Sequence, residues 1–532
     1  MSRVFRQIVC AGLAAVSLPL LASDSGIQTG LIPLSTPDLP TVTAPDEVTQ
    51  PQPLPDIPGL EIEIVGFIYE GVTLFDPIEF DRLNKELVFG RATIGELRSA
   101  ADRIAALYRE NGYLANVFLP RQDVTQGIVN FRVVEARFGS VAESQASLVT
   151  KPFIEKALTK GDLLSLDELD RALLLAGDVP TFSVVGRLIE GGEIGSTNLL
   201  LLETQLPSQA SVSISNFGSR STGSVRSTLN WKGIAPGASL TQLELQSVHS
   251  QGINQFTAGL RWPIGFSGLT GGLQISSLNY QVVAGEQKSL DPKGTSSSAA
   301  FDLRYPVVRS KSRNLFLNLR GEQTAFTNKA NGSITSDYDV ENLELGLSGN
   351  QYFSWLTGTT SLEYSGGLIL GRSNRNQTDD GYWIAKARAR AVHQWGSTNE
   401  LLLRWRAQKT DQTLDSSQRI NLGGPVAVRA FPVGEGAGDD VYLLSVEFSK
   451  AVGALTRVGL FYDWGLTWSR DSAEYELDGA GLSFKTTLAP SISVVAEIAR
   501  QIGAHPSPIV QGRNQDGSSS KTQYWVRLNY DH

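Results

Sequence analysis

The chain is poor in every residue that usually carries chemistry. Among 532 residues there is one cysteine, Cys10, and four histidines. Cys10 lies in the first apolar run, so the rest of the chain offers neither a disulfide framework nor a thiolate metal site. His249, His393, His505 and His532 are scattered, with no HExxH spacing, which excludes the usual histidine-based zinc site. Neither a GxxxxGK[ST] phosphate loop nor a GxSxG nucleophile elbow is present. Gly434-Glu435-Gly436-Ala437-Gly438 is glycine-rich but does not join a strand to a helix, and it reads as a flexible loop. Positive charge is also scarce: the formal net charge is −8, which speaks against a general nucleic-acid binder. Long hydrophobic runs are absent too. No stretch approaches the ~18 apolar residues of a membrane-spanning helix. These absences leave no enzyme, no cofactor and no nucleic-acid partner to expect.

What is present begins with a leader. Arg3 and Arg6 precede an apolar run from Ile8 to Leu21, then Ala22 and Ser23, the layout of a secretory signal peptide over residues 1–23. Residues 24–58 hold eight prolines and few large apolar side chains, so they read as an extended linker without a core. Residues 59–140 then read as a small α/β unit of order β-α-α-β-β. Ile62 and Ile64 alternate with Glu61 and Glu63 as an opening strand. A first helix starts near Asp76-Pro77, with Ile78, Leu83 and Leu87 as its apolar side. Thr93 and Glu96 form a capping box before Leu97, Ala101, Ile104 and Tyr108 at helical spacing. Residues 141–206 repeat the plan: a second capping box at Ser165 and Glu168, a helix on Leu169, Leu173 and Leu174, and strands over 182–189 and 198–204. The repeat is an internal duplication.

From residue 207 to 532 the hydrophobic period changes to two. Leu343, Leu345 and Leu347 oppose Asn342 and Glu344; Ala385, Ala387, Ala389 and Ala391 oppose Lys386, Arg388 and Arg390; Leu403 and Trp405 oppose Arg404 and Arg406. About sixteen such segments recur, each near the ~10 residues that a tilted membrane strand needs. One face is charged on strand after strand, which suits a wet lumen. Trp355, Trp383, Trp464 and Trp468 fall near strand ends, where interfacial girdles form. The expected fold is a transmembrane antiparallel β-barrel behind two α/β domains. Closure is required, because lipid cannot satisfy an open sheet edge. Glu244, Glu344, Glu363 and Glu447 read as channel lining.

The first unit runs Tyr108-Arg-Glu-Asn-Gly-Tyr113, then Leu119-Pro120-Arg121-Gln122, Gly127 and Val134-Glu135. The second runs Arg171-Ala-Leu-Leu-Leu-Ala-Gly-Asp178-Val-Pro180, then Gly191-Gly192 and Asn198. Both resemble POTRA domains, and the first resembles that of the two-partner secretion transporters (TpsB-type, the hemolysin and filamentous-hemagglutinin secretion family). In the barrel, Val428-Arg429-Ala430-Phe431 resembles that family's VRGF/VRGY loop motif. Phe461-Tyr462-Asp463-Trp464-Gly465 resembles its FxDxG strand motif. The resemblance implies a bacterial outer-membrane pore with periplasmic POTRA domains and, as its client, a large secreted β-helical exoprotein exported unfolded through a monomeric barrel in outer-membrane lipid. It also implies a loop folded into the lumen, with Arg429 paired to Asp463. Lys386, Arg388, Arg390, Arg404 and Arg406 then line the path. Ala430 replaces the usual glycine and would be strained if that position required a positive φ. The 24–58 segment shows no helical pattern for the lumen plug helix of some relatives. Tyr530 must serve as the terminal aromatic assembly signal. The alternatives are a BamA-like assembly factor, which shares the layout, and a passive porin, which lacks POTRA-like units.

Overall fold

The computed structural model describes residues 61–142, 149–375, 380–470, 472–503, 505 and 513–532. The signal peptide, the proline-rich linker and the question of a plug helix lie outside the described residues. The chain forms two compact units, the barrel from Leu206 onward and the α/β region before it.

The α/β region begins with β1 (Glu61–Glu63), β2 (Gly66–Glu70), α1 (Pro77–Leu83), β3 (Arg91–Thr93), α2 (Ile94–Glu110), β4 (Ala115–Phe118) and β5 (Ile128–Glu135). The strand that opens the main sheet is β2, parallel to β5, in the order β2-β5-β4. The expected opening strand around Ile62 is instead β1, which pairs with β3 in a separate ribbon. The apolar side of α1 matches expectation in part. Leu83 packs on the core and Leu87, just past the helix, is buried, but Ile78 is exposed and Phe80 is the buried residue of the helix, edge-on to Tyr69. A seven-residue helix offers the core barely one full face, so one aromatic decides its rotation. The Thr93–Glu96 capping box forms in both directions, and Leu97, Ala101, Ile104 and Tyr108 are buried on α2.

The second sheet is built from β6 (Arg137–Ala142), β7 (Phe182–Glu190) and β8 (Ser196–Gln205), with α3 (Lys151–Ala157) and α4 (Leu166–Gly177) packed together. Its order is β6-β8-β7. Because β6 pairs with β8, this sheet starts at Arg137, four residues before the expected boundary at Val141. Ser165 accepts from the Glu168 amide at the start of α4.

The duplication extends to a device the sequence pattern did not reveal. At the end of β5 the buried Glu135 accepts from the amides of Thr73 (2.7 Å) and Leu74 (2.9 Å), from the Tyr108 hydroxyl (2.8 Å) and from the Thr73 hydroxyl. On β8, Glu203 accepts from the amides of Val149 (2.9 Å) and Thr150 (2.7 Å) and from the Thr150 hydroxyl. In each unit a glutamate on the sheet clamps two successive amides ahead of the first helix. Such bonds to a carboxylate are the strong kind.

The barrel is closed and has sixteen strands. It begins with β9 (Gln209–Ser215), β10 (Arg226–Ala235), β11 (Ala238–Ser250), β12 (Ile253–Pro263) and β13 (Thr270–Gln281). It continues with β14 (Lys293–Arg309), β15 (Arg313–Ala330), β16 (Ser333–Trp355), β17 (Gly358–Ser373), β18 (Asp380–Trp395) and β19 (Asn399–Lys409). After a loop carrying the short pair β20 (Ile420–Asn421) and β21 (Ala437–Gly438), it ends with β22 (Asp440–Val452), β23 (Thr456–Ser469), β24 (Ser472–Ala489), β25 (Ile492–Gln501) and β26 (Thr522–Asp531). Strand lengths run from 7 to 23 residues rather than a uniform ten. Leu343, Leu345 and Leu347 point outward and stay exposed, as do Val458 and Leu460. In water such rows would be a liability; in lipid they are the expected surface. The seam pairs Arg527–Asp531 of β26 with Ser211–Ser215 of β9. Asn216 extends it, donating to the Tyr524 carbonyl (2.7 Å) and accepting from the Val526 amide (2.8 Å). Tyr530 sits on β26 at this seam, opposite Val212.

The first prediction concerns Glu135. Burial would raise its pKa, but the bonds from Thr73, Leu74 and Tyr108 outweigh burial and hold the carboxyl below its ordinary value. The folded unit therefore binds this proton less readily than the unfolded chain, and the stabilisation is present above the ordinary carboxyl range. It is lost as pH falls through the lowered folded value. Glu135→Gln should destabilise the first unit by about 2 kcal/mol, read at neutral pH as a lower urea concentration for its proteolysis. The difference from wild type should shrink under acid.

Candidate functional site

The long connection between β19 and β22 enters the barrel interior. Its two ends are fixed at the wall. The Thr410 amide donates to Asp440 (2.8 Å), and Arg419 pairs with Asp439 (2.9 Å). The β20–β21 pair makes its stem, and the tip folds on itself, with the Val428 amide donating to the Leu422 carbonyl (2.8 Å). Leu422, Val428, Ala430 and Phe431 are buried against inward-facing Val441, Leu443, Phe461, Leu477 and Ala499. The tip thus has its own apolar seat on the β22–β25 wall.

Arg429 occupies the centre of that seat, with its side chain 1% exposed. Its Nε donates to Asp463 Oδ2 (2.8 Å) and its Nη2 to Oδ1 (2.9 Å), a two-pronged pair, and its backbone amide adds a third bond to the same carboxylate (3.1 Å). Nη1 donates to Glu447 (2.9 Å) and to Glu497 (2.7 Å). The guanidinium carbon lies 3.3 Å from the centre of the Phe461 ring. Trp525 on the closing strand donates to the Arg429 carbonyl (2.7 Å). The planar fork of arginine fits this arrangement, and lysine, a point charge, would not.

One cation among three buried carboxylates needs help, and two further cations supply it. Lys485 pairs with Glu447 (2.9 Å). Arg404 shares the Ser445 hydroxyl with Arg429, at 3.1 Å and 3.4 Å. Three positive charges then meet three negative ones. Arg404, expected on the free lumen path, therefore belongs to this cluster. Glu447, expected as simple channel lining, is one of its buried acids.

The glycines explain the motifs sterically. A side chain at Gly465 would meet Val428 and Leu422 of the loop, so the last motif position is the floor under the tip. A β-carbon at Gly479 would lie 2.2 Å from that of Ala430. The alanine methyl thus fills the space that Gly479 leaves open. Ala430 is not among the described residues with positive φ, so the expected strain does not arise. Gly481 gives the same room to the Phe461 ring.

The glycine-rich stretch after the tip is also more ordered than expected. Glu435 is buried and accepts from the Tyr475 hydroxyl and the Gln515 amide (2.7 Å), with His505 Nε2 at 3.4 Å. Burial pushes its carboxyl up to about 7, against the lowering effect of those two bonds. Glu435 ties the inner loop to the β25–β26 connection.

Of the remaining candidate residues, Lys386, Arg388 and Arg406 face a cavity of about 350 Å³ between the loop and the wall, whereas Arg390 pairs with Glu363 (3.6 Å). Sequence reasoning missed Glu497, Gly479, Gly481, Ser445 and Trp525. The Gly479-Ala480-Gly481 spacing was a usable signal, since both glycines fall on the inward phase of the alternation.

A closed barrel with its lumen occupied by an inner loop, preceded along the chain by a duplicated α/β region, defines an outer-membrane pore of the transporter class. Residues 195–486 match the family described as haemolysin secretion/activation protein ShlB/FhaC/HecB, and residues 62–136 match the ShlB-type POTRA domain. The chain belongs to this family. It is an outer-membrane transporter that secretes a partner protein, and not an enzyme. It is 26% identical over 496 residues to the heme/hemopexin transporter protein HuxB of Haemophilus influenzae (strain 86-028NP), covering 85% of this chain and 83% of that one. Its fold is similar to CdiB from Escherichia coli, with a TM-score of 0.69 at 17% identity and 98% of each chain covered. CdiB from Acinetobacter baumannii follows at 0.64 and 17%, covering 96% of this chain and 98% of that one.

Two predictions come from this geometry. Arg429→Ala leaves three carboxylates buried without their central partner, a loss of about 3–5 kcal/mol, and should make residues 410–439 protease-sensitive in an intact barrel. Gly479→Ala should release the loop as well, although it touches no charge. Adding Ala430→Gly should restore protection, because it removes the methyl with which the new side chain collides.

Proposed function

We propose that the two POTRA domains, residues 59–140 and 141–206, receive a large β-helical exoprotein in unfolded form, and that the barrel from 207 exports it past the inner loop. The supporting observation is that the buried Arg429–Asp463 cluster joins a lumen-filling loop to the wall. The loop tip is seated inside the barrel on the β22–β25 wall, so a client passing through the lumen there displaces it, and the cluster acts as the lock of a closed pore. The motif residues Val428, Ala430, Phe431, Phe461 and Gly465 shape the seat of that lock. Lys386, Arg388, Arg390 and Arg406 line the path that opens beside it, with Arg404 at its border.

Client capture rests on the sheet edges. Within its own sheet β7 is an edge strand of nine residues, and β2 is an edge of five. An extended segment can add to either by backbone hydrogen bonds, which demand no fixed client sequence. Exposed Ile68 and Ile128 on the first sheet offer an apolar preference. The barrel works as a monomer in this reading.

The test is export of the partner from cells. Removing residues 60–205 should abolish export while the barrel still inserts. Arg429→Ala should cut export at least tenfold. Export that survives the deletion contradicts the reading. So does failure of many unrelated outer-membrane proteins to assemble on depletion while export continues, which is the behaviour of an assembly factor.

A further inference from the structure

The chain as a whole is acidic, yet its lumen cavity is not. Eight arginines and lysines line that cavity against three carboxylates; with Arg419 paired to Asp439 and Arg261 to Glu244, three positive charges remain in excess in a chain of net charge −8. The excess is concentrated on β18 and β19. Arg388 lies directly opposite Arg406, and Arg390 lies opposite Arg404. Directly opposed like charges destabilise a sheet. The fold does not require them, since the inward face of β14 carries Ser296, Ser298 and Ala300 in the same kind of position. Glu344 and Glu322 across the cavity offset part of the charge at Lys386, while Asp463, Glu447 and Glu497 are committed to Arg429. Glu363 faces Arg390.

We propose that this wall is a docking track for an acidic, extended segment of the client, and that the open pore prefers anions to cations. The inference rests on the translocation reading above and adds the chemistry of the passing chain. Lys386 and Arg388 stand two residues apart, a repeat of about 6.6 Å along the strand, with Arg406 beside Arg388 on β19. An extended client running beside them presents its own side chains with the same repeat. Acidic residues at alternate positions therefore meet one cation each, and guanidinium groups hold carboxylates by paired hydrogen bonds. The low-dielectric barrel wall focuses the field of these charges into the lumen, as basic rings do in anion pores. Arg388 already donates to Ser365 (2.9 Å), which holds its head group against the wall at the edge of the track.

The experiment uses the full chain in detergent and in planar bilayers. Fluorescent decapeptides of alternating Glu-Ser and of alternating Lys-Ser are titrated and read by anisotropy. Wild type and an Arg429→Ala background, whose loop is expected to leave its seat, are both used. The triple variant Lys386→Gln, Arg388→Gln, Arg406→Gln is compared in each, with its folding verified by heat-modifiable migration. The Glu-Ser peptide should bind at least tenfold tighter than the Lys-Ser peptide, and the triple variant should lose that margin. Reversal potentials under a KCl gradient should show anion preference that falls toward unity in the variant. Absence of Glu-Ser binding in both backgrounds, equal binding of the two peptides, or a preference unchanged by the triple variant overturns the inference. The translocation reading fails on a different result, export that survives loss of residues 60–205.

Discussion

A guanidinium with 1% of its side chain exposed must be surrounded by acceptors, because an unpaired buried charge costs far more than a domain can spare. For Arg429 those acceptors come from three strands: Glu447 on β22, Asp463 on β23 and Glu497 on β25. They converge only if the register of the β22–β25 wall is correct and the loop tip is inside the barrel. A one-residue slip would turn each acid toward lipid. The cluster thus couples three features at once: strand register, the position of the inner loop and the closure of the lumen. Trp525 carries the coupling to the last strand, beside the seam at which β26 meets β9.

The apolar seat and the charge cluster divide the work. Burial of Leu422, Val428, Ala430 and Phe431 supplies attraction without direction. The two-pronged bond to Asp463 supplies direction. The glycine floor at 465 and 479 supplies room. A buried ion network is weak evidence for net stability, because desolvation offsets its attraction. Its value here is specificity: it fixes one loop position, and it makes that position breakable as a unit when a client competes for the same lumen.

Much of this architecture was legible in the sequence, for physical reasons. Period-two alternation marks strands such as β16, β18 and β19 because lipid and lumen impose opposite demands on their two faces. The Thr93–Glu96 box announced α2, and inward phasing placed Asp463 on the lumen side of β23. What stayed hidden depends on contacts between strands. No spacing along the chain says that Ser483 lies opposite Glu497 or that Gly479 lies under Ala430. Cross-strand register therefore concealed Glu447 and Glu497 as partners of Arg429. It also made Arg404 look like a path residue. The Ala430 question had the same origin, since the substitution is accommodated across the sheet and not by the local backbone. In the α/β region the opening strand was misplaced because Ile62 and Ile64 show a strand period, yet the main sheet takes the next segment, Gly66–Glu70, into a parallel pair that only the fold reveals.

The central claim is that the inner loop closes the resting pore through the Arg429 cluster and yields to the client. Hydrogen exchange of the amides between 422 and 436, followed by mass spectrometry on the full chain in membranes, tests it most directly. The account predicts slow exchange at rest and fast exchange when a partner protein is stalled midway through export. Equal protection in the two states would contradict it.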